Sequence, residues 1–374
     1  MKKLIWGVVI VVVVAGLLAI FGNQQSASGP IKIGVIAPLT GDAAVYGEPF
    51  HKMVQLAAEE INKDGVGGRQ FAFIFEDGKC NGKDSVNAMQ KLVNVDKVQV
   101  VIGGFCSSES LAAVPIAEAN KVALFSPGSS SPDLTGRSHY FFRDYPSDAS
   151  QGKVLAELSY NVKKWKKIAF IQEQLDYPLG VFKAFTATFE GLGGKVVKEE
   201  FPNNTTDFRS FLAKLRAQNA DALFVDTQTP AAAERIFKQI QELRWKPKIL
   251  ISDAVSGDPE TMKRNATILE GAFAAEFGVD PNNQKFQHML SSYQKRYGTP
   301  TPYESYAQTV YDSVYVVRDG IAAVGYDGEK LAAWSRTIKD WPGASGLVTI
   351  GADGDRVSGH VPKVIHNGKV ELLK

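Results

Sequence analysis

The sequence is poor in the residues that carry most enzyme and metal chemistry. Its five histidines, His51, His139, His288, His360 and His366, are scattered with no metal-ligand spacing among them. Cysteine occurs twice, at Cys80 and Cys106, and not as a C-x-x-C pair. A Walker A loop and a G-x-S-x-G elbow are missing too. No bound cofactor or metal is therefore expected. Charge of one sign is also lacking: 42 Lys and Arg against 40 Asp and Glu leave a net +2, so composition suggests no nucleic-acid partner. Asp353-Gly354-Asp355 falls short of a calcium loop and reads as a turn. No low-complexity linker divides the chain.

What is present begins with a basic start, Met1-Lys2-Lys3, and a valine-rich apolar run from Leu4 to Phe21. A polar exit follows, with Ser26-Ala27-Ser28 as a candidate cleavage site, which describes an export signal over residues 1–30. The run also reaches the ~18–20 residues of a spanning helix, so a signal peptide and an uncleaved anchor are both open. Either one places the body outside the cytoplasm. No cysteine stands near the end of the run to take a lipid. At 374 residues the chain suggests about two domains.

Apolar runs of strand type alternate with helical runs of ten to fifteen residues. Ile31–Ala37, Phe71–Phe75, Val98–Ile102 and Val122–Phe125 form one series, and Lys167–Ile171, Lys195–Lys198, Ala222–Val225 and Lys248–Ile251 form a second. This rhythm predicts βαβ units and parallel sheets in two doubly wound α/β lobes that meet near residue 147. The lobes are read as 31–147 plus 277–356 and 148–276 plus 357–374, joined as a hinge by several short crossovers.

Two strands of the first series end in small hydroxyl residues: Gly103-Gly104-Phe105-Cys106-Ser107-Ser108 and Ser126-Pro127-Gly128-Ser129-Ser130. Ligands in open α/β sheets sit beyond such carboxyl ends. Ser107 precedes a helical run and is a natural N-cap, so either it satisfies orphan amides or those amides and hydroxyls face an anion. Gly128 permits close backbone approach, and Ser130 offers a hydroxyl that donates or accepts. Export makes a Cys80–Cys106 bridge chemically reasonable, the alternative being two inert buried thiols. Tyr46, Tyr177 and Asp253 stand after other strands, where an acid could cap a helix or receive an ammonium.

Together, Leu39-Thr40-Gly41 with Tyr46-Gly47, Asp77 with Cys80, and the two serine clusters resemble a type I periplasmic binding protein of the branched-chain amino acid (Leu/Ile/Val) family, from Ile31 to the C-terminus. The resemblance implies that Ser107 and Ser130 bind a ligand α-carboxylate. The Gly128 carbonyl and Asp253 would accept from its ammonium. Tyr46 and Tyr177 would close over it, and Phe105 would border its side chain. A Cys80–Cys106 disulfide also follows the family.

Gln228 replaces an aromatic residue common in relatives, Asp253 a glutamate, and Phe105 an aliphatic residue. These departures keep an α-amino acid but put a leucine-like side chain in question. The implied protein is a monomeric, non-enzymatic receptor that delivers a small amino acid to a membrane ABC permease. Two alternatives are a membrane-tethered ligand sensor and a transporter receptor for an amide, urea derivative or aromatic carboxylate. A hydrolase is disfavoured, because the serines have no evident base.

Overall fold

A computed structural model describes residues 29–373, so the expected export helix lies outside the described residues. The first lobe begins with β1 (Ile31–Ala37), α1 (Ala44–Ile61), β2 (Phe71–Asp77) and α2 (Gly82–Asn94). It continues with β3 (Val100–Ile102), α3 (Ser107–Asn120), β4 (Ala123–Ser126) and β5 (Phe141–Arg143). These strands are parallel in the order β2-β1-β3-β4-β5. Both faces of the sheet are covered, which is why β1, β3 and β4 read as nearly continuous apolar runs.

The second lobe follows through α4 (Asp148–Glu157), which ends in a π turn at Leu158–Val162, β6 (Lys167–Glu173), α5 (Asp176–Gly191) and β7 (Lys195–Phe201). Then come α6 (Arg209–Ala217), β8 (Ala222–Asp226), α7 (Pro230–Glu242), β9 (Ile249–Ile251) and three short helices, α8 (Asp253–Ser256), α9 (Pro259–Arg264) and α10 (Ala266–Leu269), before β10 (Phe273–Phe277). Its parallel part repeats the first lobe, with β7-β6-β8-β9-β10 matching β2-β1-β3-β4-β5.

The chain returns to the first lobe with α11 (Gln284–Tyr297), α12 (Glu304–Val324), α13 (Gly328–Ser335) and a hairpin of β11 (Trp341–Gly343) and β12 (Gly346–Val348). It re-enters the second sheet as β13 (His360–His366) and β14 (Lys369–Leu372). These two strands run antiparallel, β13 on β10 and β14 on β13, so the second sheet is mixed where a parallel one was expected. The cause is local: Asn367 and Gly368 both have positive φ, as a tight two-residue hairpin turn demands. The chain therefore passes between the sheets three times, after β5, β10 and β12.

Each sheet packs apolar side chains on both faces. In the first lobe, α1 and α12 cover one face through Phe50, Met53, Val310 and Val314, and α2 and α3 cover the other through Leu92 and Val114. In the second, Phe170, Phe185 and Phe224 fill the α4–α5 side, and Leu212, Ile236 and Phe237 the opposite side.

Candidate functional site

The strand order 2-1-3-4-5 reverses direction between its first and third strands, and the crevice there is where doubly wound sheets hold ligands. With the order repeated, the segments after β1, β3 and β4 face those after β6, β8 and β9. Tyr46, Phe105–Ser107 and Gly128–Ser130 come from the first set; Tyr177, Gln228 and Asp253 come from the second. Tyr46 and Tyr177 both stand in first turns, of α1 and α5. Gly47 allows this start of α1, since a Cβ there would lie 2.0 Å from the Pro38 carbonyl oxygen. Asp77 holds the preceding loop by accepting from Leu39 N at 2.9 Å.

Helix α3 is capped by Cys106 rather than by Ser107. Glu109, three residues on, reaches back to accept from Cys106 N at 3.0 Å, and its other oxygen accepts from Cys80 N at 3.0 Å. Burial pushes the Glu109 carboxyl up to about 7 against those backbone donors. Cys80 and Cys106 are bridged, with a Cα–Cα distance of 5.2 Å. Released from capping, the Ser107 hydroxyl accepts from Ser131 N at 3.1 Å. The serines divide by role. Ser126 and Ser129 both bond the Gly104 carbonyl, at 2.7 and 2.8 Å, and so brace the loops. Ser107 and Ser130 line the cleft. Gly128 must be glycine, because a Cβ would meet the Phe105 ring at 2.6 Å.

Across the cleft, the buried Asp253 carboxylate accepts from the hydroxyls of Tyr177 and Tyr145, the latter at 2.6 Å. His360 Nε2 stands 3.5 Å from the same carboxylate. Burial alone would raise Asp253, but His360 and the two hydroxyls hold it below its ordinary value. Gln228 donates its backbone N–H to Glu173 at 2.8 Å, and its buried side-chain oxygen has no partner among the described residues. Glu173 is itself pushed up to about 7, chiefly by burial. The Tyr46 hydroxyl reaches the second lobe, donating to the carbonyls of Ala254 at 2.8 Å and Gln228 at 3.1 Å. The lobes are thus in contact over the site.

Tyr46, Phe105, Ser107, Gly128, Ser130, Tyr177 and Gln228 line one narrow space, with Cys106, Ala254 and Tyr306. Asp253 is outside that lining, linked to it through Tyr177. A neighbouring apolar crevice shares Tyr46, Phe105 and Tyr306 and continues toward Phe50, Met53 and Tyr293. Chemically, one side offers hydroxyls and a helix N-terminus to an anion. The other offers the Tyr177 hydroxyl, backed by the Asp253 carboxylate, with aromatic rings between.

Sequence reasoning missed Tyr306, Tyr145 and His360. Tyr306 sits among apolar positions of α12, where a tyrosine reads as core, and His360 meets Asp253 only through the last crossover. The cue for Glu109 was present, since Cys106-x-x-Glu109 has capping-box spacing.

The periplasmic binding protein family matches residues 30–361. This chain belongs to that family. A periplasmic binding protein is an exported, extracytoplasmic protein, and no helix among the described residues is long and apolar enough to cross a membrane. A leucine-, isoleucine-, valine-, threonine- and alanine-binding protein of Pseudomonas aeruginosa is 28% identical over 322 residues, 84% of each chain. The leucine-binding protein of Thermotoga maritima superposes with a TM-score of 0.85 at 28% identity, covering 92% of this chain and 98% of that one. A branched-chain amino acid transporter substrate-binding protein of Streptococcus pneumoniae, solved with isoleucine, gives 0.81 at 27% identity, covering 91% and 98%. A benzoate-bound solute-binding protein of Rhodopseudomonas palustris shares the fold, with a TM-score of 0.82 at 19% identity and coverage of 92% and 96%.

Proposed function

We propose that this periplasmic binding protein is the solute receptor of an ABC importer, that it binds a small α-amino acid between its lobes, and that it hands the ligand to a membrane permease without chemical change. One observation carries the reading: serine-tipped strand ends on one lobe share a narrow space with Tyr177 of the other, whose hydroxyl donates to the buried, ionised Asp253 behind it. In this reading Ser107 and Ser130 receive the α-carboxylate at the N-terminus of α3. The Gly128 carbonyl and Asp253 receive the ammonium. Tyr46 and Tyr177 close the two sides, while Phe105 and Gln228 judge the side chain. A ligand that touches both lobes favours the closed arrangement by the contacts it adds there.

A second reading, an aromatic carboxylate, draws on the rings of Tyr46, Phe105 and Tyr306 in the lining. It leaves Asp253 without a task. Isothermal calorimetry with L-amino acids, their amides and benzoate separates the two: the amino-acid reading expects saturation by a free amino acid. Saturation by benzoate with no response to any amino acid would sink it.

A further inference from the structure

The turn Asp353-Gly354-Asp355 lies on the third passage between the sheets, and the proposed function gives it no work. It packs against the end of β5. Gly354 O accepts from Arg143 N at 2.9 Å. Only glycine fits there, since φ is +84.9° rounded to +85° and a Cβ would lie 2.5 Å from the Phe141 carbonyl oxygen. The approach brings Asp355 onto Arg143, whose side chain is fully buried. Arg143 Nε donates to Asp355 Oδ1 at 2.7 Å and Nη2 to Oδ2 at 2.9 Å, two parallel charge-assisted bonds. Nη2 also donates to Thr135 Oγ1 at 3.0 Å. Nη1 donates to the carbonyls of Ser129 at 3.2 Å and Ser131 at 2.9 Å. A guanidinium has five N–H donors, and here each finds its own acceptor.

The last two acceptors flank Ser130. A trans peptide carries its C=O and N–H on opposite sides, so a Ser129 carbonyl turned to Arg143 turns the Ser130 N–H away from it. That N–H has no hydrogen-bond partner among the described residues, although Ser130 is buried and lines the cleft. Buried amides are rarely left so. Beyond it, Ser130 O accepts from Asp148 N at 2.8 Å, and Ser131 N donates to Ser107 Oγ at 3.1 Å. Three successive carbonyls are thereby fixed, two of them by one side chain.

We propose that Arg143, held by Asp355, is the positioning residue for the anion half of the cleft: by gripping the carbonyls on either side of Ser130 it sets the direction in which the Ser130 N–H meets a ligand carboxylate. The inference rests on the amino-acid reading above. Lysine could supply the charge at this place but not the grip, since an ammonium lacks the planar fork that reaches a carboxylate and two carbonyls at once. Asp355 is needed because a buried guanidinium requires a countercharge. It brings that charge across 212 residues of chain, so the half-site is complete only when the last return to the first lobe is in place.

Calorimetry of the purified protein with whichever L-amino acid binds most tightly tests this, on variants whose circular dichroism matches the parent's. R143K should lose about tenfold in affinity, D355N about threefold and T135V, which removes one of the five acceptors, about twofold. The cost of R143K should shrink to about threefold or less once Ser130 is alanine, because both changes act through one residue. Beside Y46F, whose lost bonds lie on Gln228 and Ala254, R143K should keep its full cost. Parent-like affinity in the variants that fold overturns the inference. So does a loss in R143K that adds in full to that of S130A, which would make Arg143 a support of the lobe alone. If R143K, D355N and T135V all fail to fold, Arg143 holds the lobe rather than the loop, and the inference falls. Binding of an amino acid by the parent upholds the reading of the cleft whatever the variants do. If the parent binds none, that reading fails and takes the inference with it.

Discussion

Tyr46→Phe isolates lobe closure from lobe stability. The ring packs against Phe105 at 5.4 Å and Tyr303 at 5.0 Å between centroids, and phenylalanine keeps both contacts. Only the hydroxyl is lost, and with it the bonds to Ala254 O at 2.8 Å and Gln228 O at 3.1 Å. A phenol has one proton, so the two carbonyls share a single hydrogen bond rather than receiving two. Its net worth is about 1–1.5 kcal/mol. Both acceptors belong to the opposite lobe, so the loss falls on the closed form alone. About 1.4 kcal/mol is a factor of ten in a dissociation constant. Titration calorimetry should therefore find ligand affinity reduced about tenfold, while urea unfolding of the ligand-free protein moves by under about 0.5 kcal/mol, since an open cleft never made the bond. Unchanged affinity, or an equal loss of ligand-free stability, would refute the assignment of Tyr46 to closure.

Asp253→Ala removes a charged acceptor worth about 1.5–3 kcal/mol and strands the Tyr145 and Tyr177 hydroxyls, so affinity for an amino acid should fall by about 100-fold in the same calorimeter. Replacing Cys80 and Cys106 together by serine opens a loop closed over a separation of 26 residues, and chemical denaturation should show a loss of about 3.5 kcal/mol. Glu109 titrates near 7 in the fold against 4.5 in the unfolded chain, so the folded state binds more protons in that window and stability falls as pH rises through it. Between pH 5 and pH 7 the fall is roughly 2 kcal/mol for this group, and urea titrations at those two pH values should find it reduced in Glu109→Gln.

Much of the fold is written locally. Strands buried on both faces must be apolar throughout, and amphipathic helices must show their period, so β1, β3, β4 and α12 were legible from composition and spacing. The mixed edge of the second sheet was harder to see, because β13 takes its place by pairing with β10, more than eighty residues earlier. The serine ends of β3 and β4 stood out as clusters, yet their division into bracing and cleft-lining members depends on where the Gly104 carbonyl points. Asp353-Gly354-Asp355 does turn the chain, as its residues imply. It also supplies Asp355 to the buried Arg143 at 2.7 Å, a pairing across 212 residues that no local pattern carries. His360 is hidden for the same reason: it is ordinary in its own segment and acquires meaning only beside Asp253.

The central claim is that the cleft takes a free α-amino acid, with its carboxylate on Ser107 and Ser130 and its ammonium on Asp253. Titration of one L-amino acid and of its amide and its deaminated acid into the purified protein tests this most directly. The account predicts one-to-one saturation by the free amino acid and a loss of binding when either charged group is removed. Equal affinity for the deaminated acid would contradict it.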